Sequence, residues 1–203
     1  MNKKLVVFIV VLTVGLLFGG YTFFSSRSSR VSGLKVASLP NASIFLDEKL
    51  IGKTPYEDKQ PPGEYVLKLI ADDPSVVSWQ GKVILYPSLM TYIKRELGGS
   101  ELTSAGEILT LERLTGPEAQ IAVISYPDAS TVIIDGQEKG STPYIAREIL
   151  TGEHDVAVTS PGFAQRSVRV QATSGYKLTA NFQLALVGSP PVVASESAIP
   201  NKI

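Results

Sequence analysis

The sequence predicts an all-β protein that follows one N-terminal transmembrane helix, and three observations support this prediction. An uncharged apolar stretch lies near the start of the chain, and a set of residues in the remainder recurs about 88 positions later. The recurring segments alternate apolar and polar residues with the period of two that is typical of a half-buried strand. Beyond the apolar stretch, no twelve-residue segment has the pattern of an amphipathic helix.

Composition excludes several classes of function. The 203 residues include 19 basic and 19 acidic side chains, so the formal net charge is zero, and no basic cluster indicates a nucleic-acid partner. The absence of cysteine excludes a thiolate nucleophile, a zinc–thiolate site and a disulfide framework. His154 is the single histidine, so chemistry that depends on paired histidines is excluded as well.

The N-terminus predicts a single-pass anchor in the cell membrane. Residues 5–24 carry no charge, and a helix of that length spans about 30 Å, the thickness of the hydrocarbon core. We interpret it as an uncleaved signal anchor, the alternative being a signal peptide that is cleaved after translocation. Residues 1–4 are then a cytoplasmic tail and the β domains are extracytoplasmic. Residues 25–32 are predicted to be a tether, and residues 188–203, rich in Pro, Ser and Ala, a disordered tail.

An internal repeat organises the remainder of the chain. The first copy contains Pro40, Asp47, Gly52, Thr54-Pro55-Tyr56 and Gly63, and the second contains Pro127, Asp135, Gly140, Thr142-Pro143-Tyr144 and Gly152. The offset stays near 88 and changes by one residue at turns, as expected of a duplicated fold with loop variation. We therefore predict two separable domains, at 33–114 with an added strand and at 119–187, joined by a linker at 115–118.

The two copies differ at their first turn. Asp135-Gly136 follows a β-branched run and predicts a tight hairpin, because glycine tolerates the positive φ that such turns require. Glu48 stands where the first copy needs the equivalent glycine. We therefore expect the first turn to have a different shape, one that a residue with a side chain accepts.

These residues resemble the PEGA domain family. Its pattern has a proline followed by variable residues that include alanine, a β run, Asp-Gly, Gly-x-Thr-Pro and a later Gly-Glu; the second copy follows it through Pro127, Asp135-Gly136, Gly140 and Gly152-Glu153. The first copy is one residue shorter between Pro40 and Asp47. The resemblance implies two small β-sandwich-like domains in tandem, an extracytoplasmic setting and a scaffold or binding role. It implies no catalytic residues.

We identify no catalytic, metal or cofactor site in the sequence and expect no enzymatic activity. The acidic doublets Asp47-Glu48 and Asp72-Asp73 lack the spaced set of oxygens that calcium needs, so turn chemistry explains them better. His154 occupies the position of Tyr65 in the other copy and is interpreted as a packed side chain.

Three aromatic side chains are the candidate ligand contacts. Trp79, the single tryptophan, either stacks on a sugar ring or fills the first core, and Tyr56 and Tyr144 recur at equivalent positions. The leading hypothesis is a structural or interaction module of the cell envelope, with another surface protein as its partner. The alternative is a module that binds cell-wall polysaccharide or peptidoglycan.

Overall fold

The computed structural model describes residues 31–188, which contain fifteen strands and one 3₁₀-helix, Glu101–Thr103. The all-β prediction is confirmed for this part of the chain. The strands are β1 (Ser32–Leu39), β2 (Ala42–Leu46), β3 (Lys49–Lys53), β4 (Tyr56–Gln60), β5 (Gly63–Ala71), β6 (Trp79–Leu85), β7 (Met90–Glu96), β8 (Ala105–Arg113), β9 (Ala119–Tyr126), β10 (Thr131–Ile134), β11 (Gln137–Ser141), β12 (Tyr144–Ile149), β13 (Gly152–Thr159), β14 (Arg166–Ala172) and β15 (Tyr176–Gln183).

The predicted membrane span, tether and tail lie almost entirely outside the described residues. No helix within 31–188 is long and apolar enough to cross a membrane. The apolar stretch at 5–24 and the segment from residue 189 onward are not part of that range.

Strands β1–β7 and β9–β15 pair in the same order. In each set the second strand pairs with the third and fifth, and the fifth pairs with the sixth, which forms a four-stranded antiparallel sheet. The first strand of each set pairs with the fourth on one side and the seventh on the other, with Leu34 opposite Thr91 in the first set and Ile121 opposite Leu178 in the second. We refer to these sets as the first and second modules.

Strand β8 joins the two modules into one seven-stranded sheet. It pairs antiparallel with β7 of the first module and with β15 of the second, so the strand order is β12-β9-β15-β8-β7-β1-β4. From the sequence this strand was expected as an addition to the first module. It does pair with β7 of the first module, and it also forms a ladder with β15 of the second.

Each module buries a core between its four-stranded sheet and its part of the large sheet. Ile108 of β8 packs against the first core, whereas Leu109 and Leu111 pack against the second. Successive side chains of a strand point to opposite faces. The two four-stranded sheets therefore lie on opposite faces of the seven-stranded sheet. The largest buried side chains are Leu34, Ile44, Leu67, Leu69, Leu85, Ile93 and Leu97 in the first core, and Ile121, Ile134, Phe182 and Leu184 in the second.

The first hairpin has the same backbone shape in both modules, so the expectation of a different turn at Glu48 is wrong. Asp47 and Glu48 have φ angles of 46° and 67°, and Asp135 and Gly136 have φ angles of 52° and 75°. Positive φ at both central residues is the type I′ geometry, whose twist matches that of the flanking strands. The strand twist imposes this geometry on the first module although its second central residue is a glutamate.

The aspartate of each turn connects the hairpin to the adjacent strand of the same sheet, β5 in the first module and β13 in the second. Asp47 donates its N–H to the Val66 carbonyl over 3.0 Å, and its Oδ1 accepts the Val66 N–H over 2.8 Å. Asp135 makes the same two bonds with Asp155, each 2.9 Å long. These bonds explain why the aspartate recurs in both copies.

The shared geometry predicts opposite effects of substitution at the two turns. Glu48→Gly should stabilise the first module by about 1 kcal/mol, because positive φ disfavours any side chain. Gly136→Val should destabilise the second module by about 1–3 kcal/mol, because a β-branched residue is strained there. Urea unfolding would measure both changes. Lys49→Gly, one position beyond the turn, is the control and should not stabilise the first module. Equal effects of Glu48→Gly and Lys49→Gly would contradict the prediction.

Candidate interaction surface

The outward face of the first four-stranded sheet carries an apolar patch, which we define as Phe45, Leu50, Val66 and Ile70. Ile44 and Leu46 point into the core, so Phe45 between them points outward. Phe45 lies opposite Leu50 on β3 and opposite Lys68 on β5. Leu50 is 57% exposed and Ile70 is 38% exposed. The patch is therefore a water-facing apolar surface on a sheet.

A groove of about 570 Å³ runs along this patch. Its apolar lining comes from Phe45, Val66 and Ile70, and its polar lining from Asp47, Glu48, Lys68 and Gln80. Volumes of this order are typical of binding clefts.

Lys68 is the central charge of the groove. Two other lysines of the same sheet form ion pairs, Lys53 with Asp72 at 2.9 Å and Lys82 with Glu64 at 3.5 Å. Within residues 31–188, Lys68 forms no ion pair. An unpaired ammonium group among aliphatic side chains favours contact with a carboxylate.

The equivalent face of the second module is polar. Glu138 replaces Leu50, Asp155 replaces Val66, Ala157 replaces Lys68 and Thr159 replaces Ile70, while Ile133 replaces Phe45. The strands keep the same pairing, so the contrast comes from side chains alone. The second module shows that this fold does not require an apolar outer face.

Trp79 lies away from the groove, at the start of β6. It is half-buried and packs against the first core, and its ring lies 4.5 Å from the guanidinium carbon of Arg95. A Cβ atom at Gly81 would be 2.5 Å from the ring, so the indole lies over that glycine. Of the two alternatives considered for Trp79, these contacts favour packing.

Tyr56 and Tyr144 also pack within their modules. Each is half-buried against its own core and covers a glycine of the neighbouring hairpin, Gly52 or Gly140. The hydroxyl of Tyr56 accepts a hydrogen bond from Gln60 over 2.8 Å. The structure therefore does not bring the three candidate aromatic residues together, and none of them lines the groove.

The apolar patch has a sequence signal that our prediction did not use. On β5 the buried residues Leu67 and Leu69 alternate with positions that face water, and Val66 and Ile70 occupy two of those positions. An aliphatic residue in the polar phase of one copy, with Asp155 or Thr159 in the other, indicates an outer face that is apolar in the first copy and polar at these positions in the second.

A charged network lies where the modules meet. Arg166 of β14 donates its Nε–H to Glu107 of β8 and its Nη2–H to Glu96 of β7, the latter over 3.0 Å. Arg95 of β7 donates to Gln183 of β15. Glu107 is 4% exposed and Arg95 is 3% exposed. These side chains connect three strands of the large sheet to the edge of the second four-stranded sheet.

Arg95 depends on a glycine of the shared strand. A Cβ atom at Gly106 would be 2.7 Å from Arg95 Cδ and 3.0 Å from its Nε, so the side chain passes directly over Gly106. Burial, followed by repulsion from Arg166, lowers the pKa of Arg95 to about 10. Its Nε has no hydrogen-bond partner among the described residues. Arg95 is charged at neutral pH and held by stacking on Trp79.

His154 links the first turn of the second module to a loop. Its Nδ1 lies 2.7 Å from Asp135 Oδ2, and its Nε2 lies 2.7 Å from the Leu150 carbonyl oxygen. Both partners are acceptors, so both ring nitrogens donate only in the protonated imidazolium. The hydrogen bond to Asp135 raises the pKa of His154, against the opposing effect of burial. Hydrogen bonds from His154 and Asp155 lower the pKa of Asp135.

These shifts predict a pH-dependent stability of the second module. The raised pKa of His154 adds stability below its unfolded value of 6.5, and this is lost as pH rises through the folded pKa. The lowered pKa of Asp135 adds stability above 3.8, and this is lost as pH falls. Thermal unfolding should therefore show a maximum between about pH 4 and 6.5.

A variant of His154 provides the control. His154→Tyr copies the first module, where Tyr65 donates to the Pro61 carbonyl over 3.0 Å. This variant should lose the decline in stability above pH 6.5. A wild-type unfolding temperature that stays constant from pH 5 to 8 would contradict the prediction.

One family model matches the part of the chain that forms the second module. Residues 118–186 match the family model of the PEGA domain. The match supports a PEGA-domain protein. It covers β9 to β15, including the Asp135-Gly136 turn and the Thr142-Pro143 pair that carried the resemblance in the sequence. A PEGA domain indicates a surface or extracellular module.

Other comparisons add little. No curated protein matches the sequence. Among solved structures, the Bacillus anthracis TIE protein is similar at 12% sequence identity with a TM-score of 0.25. The match covers 78% of this chain and 34% of that chain, so this protein spans about a third of the length of its neighbour. A similarity this weak carries no argument about fold or function.

Proposed function

We propose that this is a non-enzymatic, membrane-anchored protein of the cell envelope whose two modules, both of the PEGA type, form an extracytoplasmic interaction unit. The anchor rests on the uncharged stretch at 5–24. The envelope setting rests on the PEGA match at 118–186. The assignment of the first module to the same type rests on its strand pairing, which follows that of the second.

The apolar patch is the observation that carries the interaction role. Phe45, Val66 and Ile70 border a groove with an unpaired lysine, and the equivalent face of the second module is polar. A contiguous apolar patch with polar residues around it is a feature of interaction sites on protein surfaces. Because the two faces share one backbone, the difference reflects a role of the first module alone.

The polysaccharide alternative has less support. Sugar rings stack on exposed aromatic faces, but Trp79 packs on Arg95, and Tyr56 and Tyr144 cover glycines of their own modules. The patch itself is mainly aliphatic. We therefore favour a protein partner.

Site-specific photo-crosslinking in intact cells tests the interaction role. A photoreactive amino acid at Leu50 should give a discrete crosslinked product, because this side chain is exposed within the patch. The same amino acid at Glu138, the equivalent position of the second module, is the matched control and should give none. No product from position 50, or the same products from both positions, would overturn the proposed interaction surface.

Protease added to intact cells, or to spheroplasts where an outer layer shields the protein, tests the location. Both modules should be digested from outside. Digestion only after lysis would reject the extracytoplasmic placement.

A further inference from the structure

We propose that the partner of the apolar patch is a second copy of this chain, so that the first modules of two molecules pack sheet against sheet. This inference rests on the proposed interaction role of the patch. It goes beyond that role because it names the partner.

The groove carries charges of both signs, so the Glu48 and Lys68 side chains of one copy can pair with those of another. Its lining has an acidic end at the β2–β3 turn, with Asp47 and Glu48, and a basic centre at Lys68. Neither Glu48 nor Lys68 forms an ion pair within residues 31–188. The Oδ1 atom of Asp47 accepts the Val66 N–H, so this carboxylate is held by the adjacent strand, and Glu48 is the acid whose side chain is available to reach across an interface.

A two-fold arrangement pairs these charges twice. In such an interface the same surface of each molecule meets the other, so a contact of residue i with residue j occurs twice. Lys68 of each copy then faces Glu48 of the other. The two copies thus pair both Lys68 ammonium groups with both Glu48 carboxylates, none of which forms an ion pair within residues 31–188.

The apolar patch fits a sheet-to-sheet contact. Packed sheets lie about 10 Å apart, and the side chains of their facing surfaces interdigitate. Phe45, Leu50, Val66 and Ile70 extend over three adjacent strands, so they supply an apolar centre of that form. The second module, with Glu138 and Asp155 at equivalent positions, has a face that cannot be buried in this way without cost.

Charge reversal in the full-length chain tests the proposal. The protein, purified in detergent, should form a dimer in sedimentation analysis, and Lys68→Glu or Glu48→Lys should weaken it at least about tenfold, because each single reversal places like charges together twice. The double variant with both reversals should restore the dimer. Restoration also shows that the single variants fail through charge and not through misfolding. Glu138→Lys in the second module is the control and should have no effect.

Four outcomes decide against the dimer. A full-length protein that stays monomeric at about 100 µM overturns it, because the dissociation constant of the dimer would then lie above that concentration. A dimer that ignores both single reversals is held elsewhere and also overturns it. A photo-crosslinked product from position 50 that contains a different protein overturns the second copy as partner but leaves the proposed interaction role intact. The absence of any product from position 50 overturns both.

Discussion

Replacing Glu107 by alanine should lower the free energy of unfolding by about 3–5 kcal/mol, because it removes the buried carboxylate that accepts from Arg166 and offsets the charge of the buried Arg95. Glu107 accepts from Arg166, whose side chain is 13% exposed, and lies at the strand that both modules share. Arg95 is buried in the same junction, and its Nε has no hydrogen-bond partner within residues 31–188. Urea unfolding of the wild type and the variant would measure the loss.

Glu96 provides the matched control. It accepts from the same Arg166 side chain, but its own side chain is 41% exposed, so water compensates for its removal. Glu96→Ala should cost less than about 1 kcal/mol. If both substitutions have the same small effect, the buried network does not stabilise the junction as its geometry indicates.

The second module expressed without β8 should be markedly less stable than a segment that includes it. A segment of residues 118–186 leaves β15 as a sheet edge, because the eight register positions between β15 and β8 are lost. It also uncovers the part of the core that Leu109 and Leu111 cover. From burial of two partly buried leucines, we expect a loss of about 2–4 kcal/mol.

Comparison with residues 105–187 tests this expectation. The longer segment should give a cooperative unfolding transition at higher urea concentration than residues 118–186. The exposed edge of β15 should also make the shorter segment more prone to aggregation. Equal stability of the two segments would show that the linker at 115–118 separates the modules after all.

Strand β8 shows where inference from the sequence stopped. Residues 107–114 have apolar side chains in both phases of the strand, with Ile108 in one phase and Leu109 and Leu111 in the other. A strand that is apolar in both phases is buried on both faces. The sequence pattern therefore indicated burial by two layers. Which two layers cover it depends on contacts with β7 and β15 that are distant along the chain.

The candidate site was only partly predictable for the same reason. Trp79, Tyr56 and Tyr144 were singled out because they are aromatic, but a residue type does not specify what the ring contacts. Trp79 packs on Arg95, which lies sixteen positions later on a strand of a different sheet. The patch depends on Phe45 and Leu50 meeting across a hairpin and on Val66 and Ile70 lying on the adjacent strand.

The sequence by itself determined the all-β class, because the alternation of apolar and polar residues reflects the two faces of each strand. It also located the turn aspartates and the recurring Thr-Pro pairs, since local backbone geometry depends on local residues. The tertiary structure alone decided the shape of the Glu48 turn, the sharing of β8 and the position of the apolar patch. Each of these depends on strand twist or on long-range pairing, in which the free energy of the whole sheet overrides the preference of a single residue.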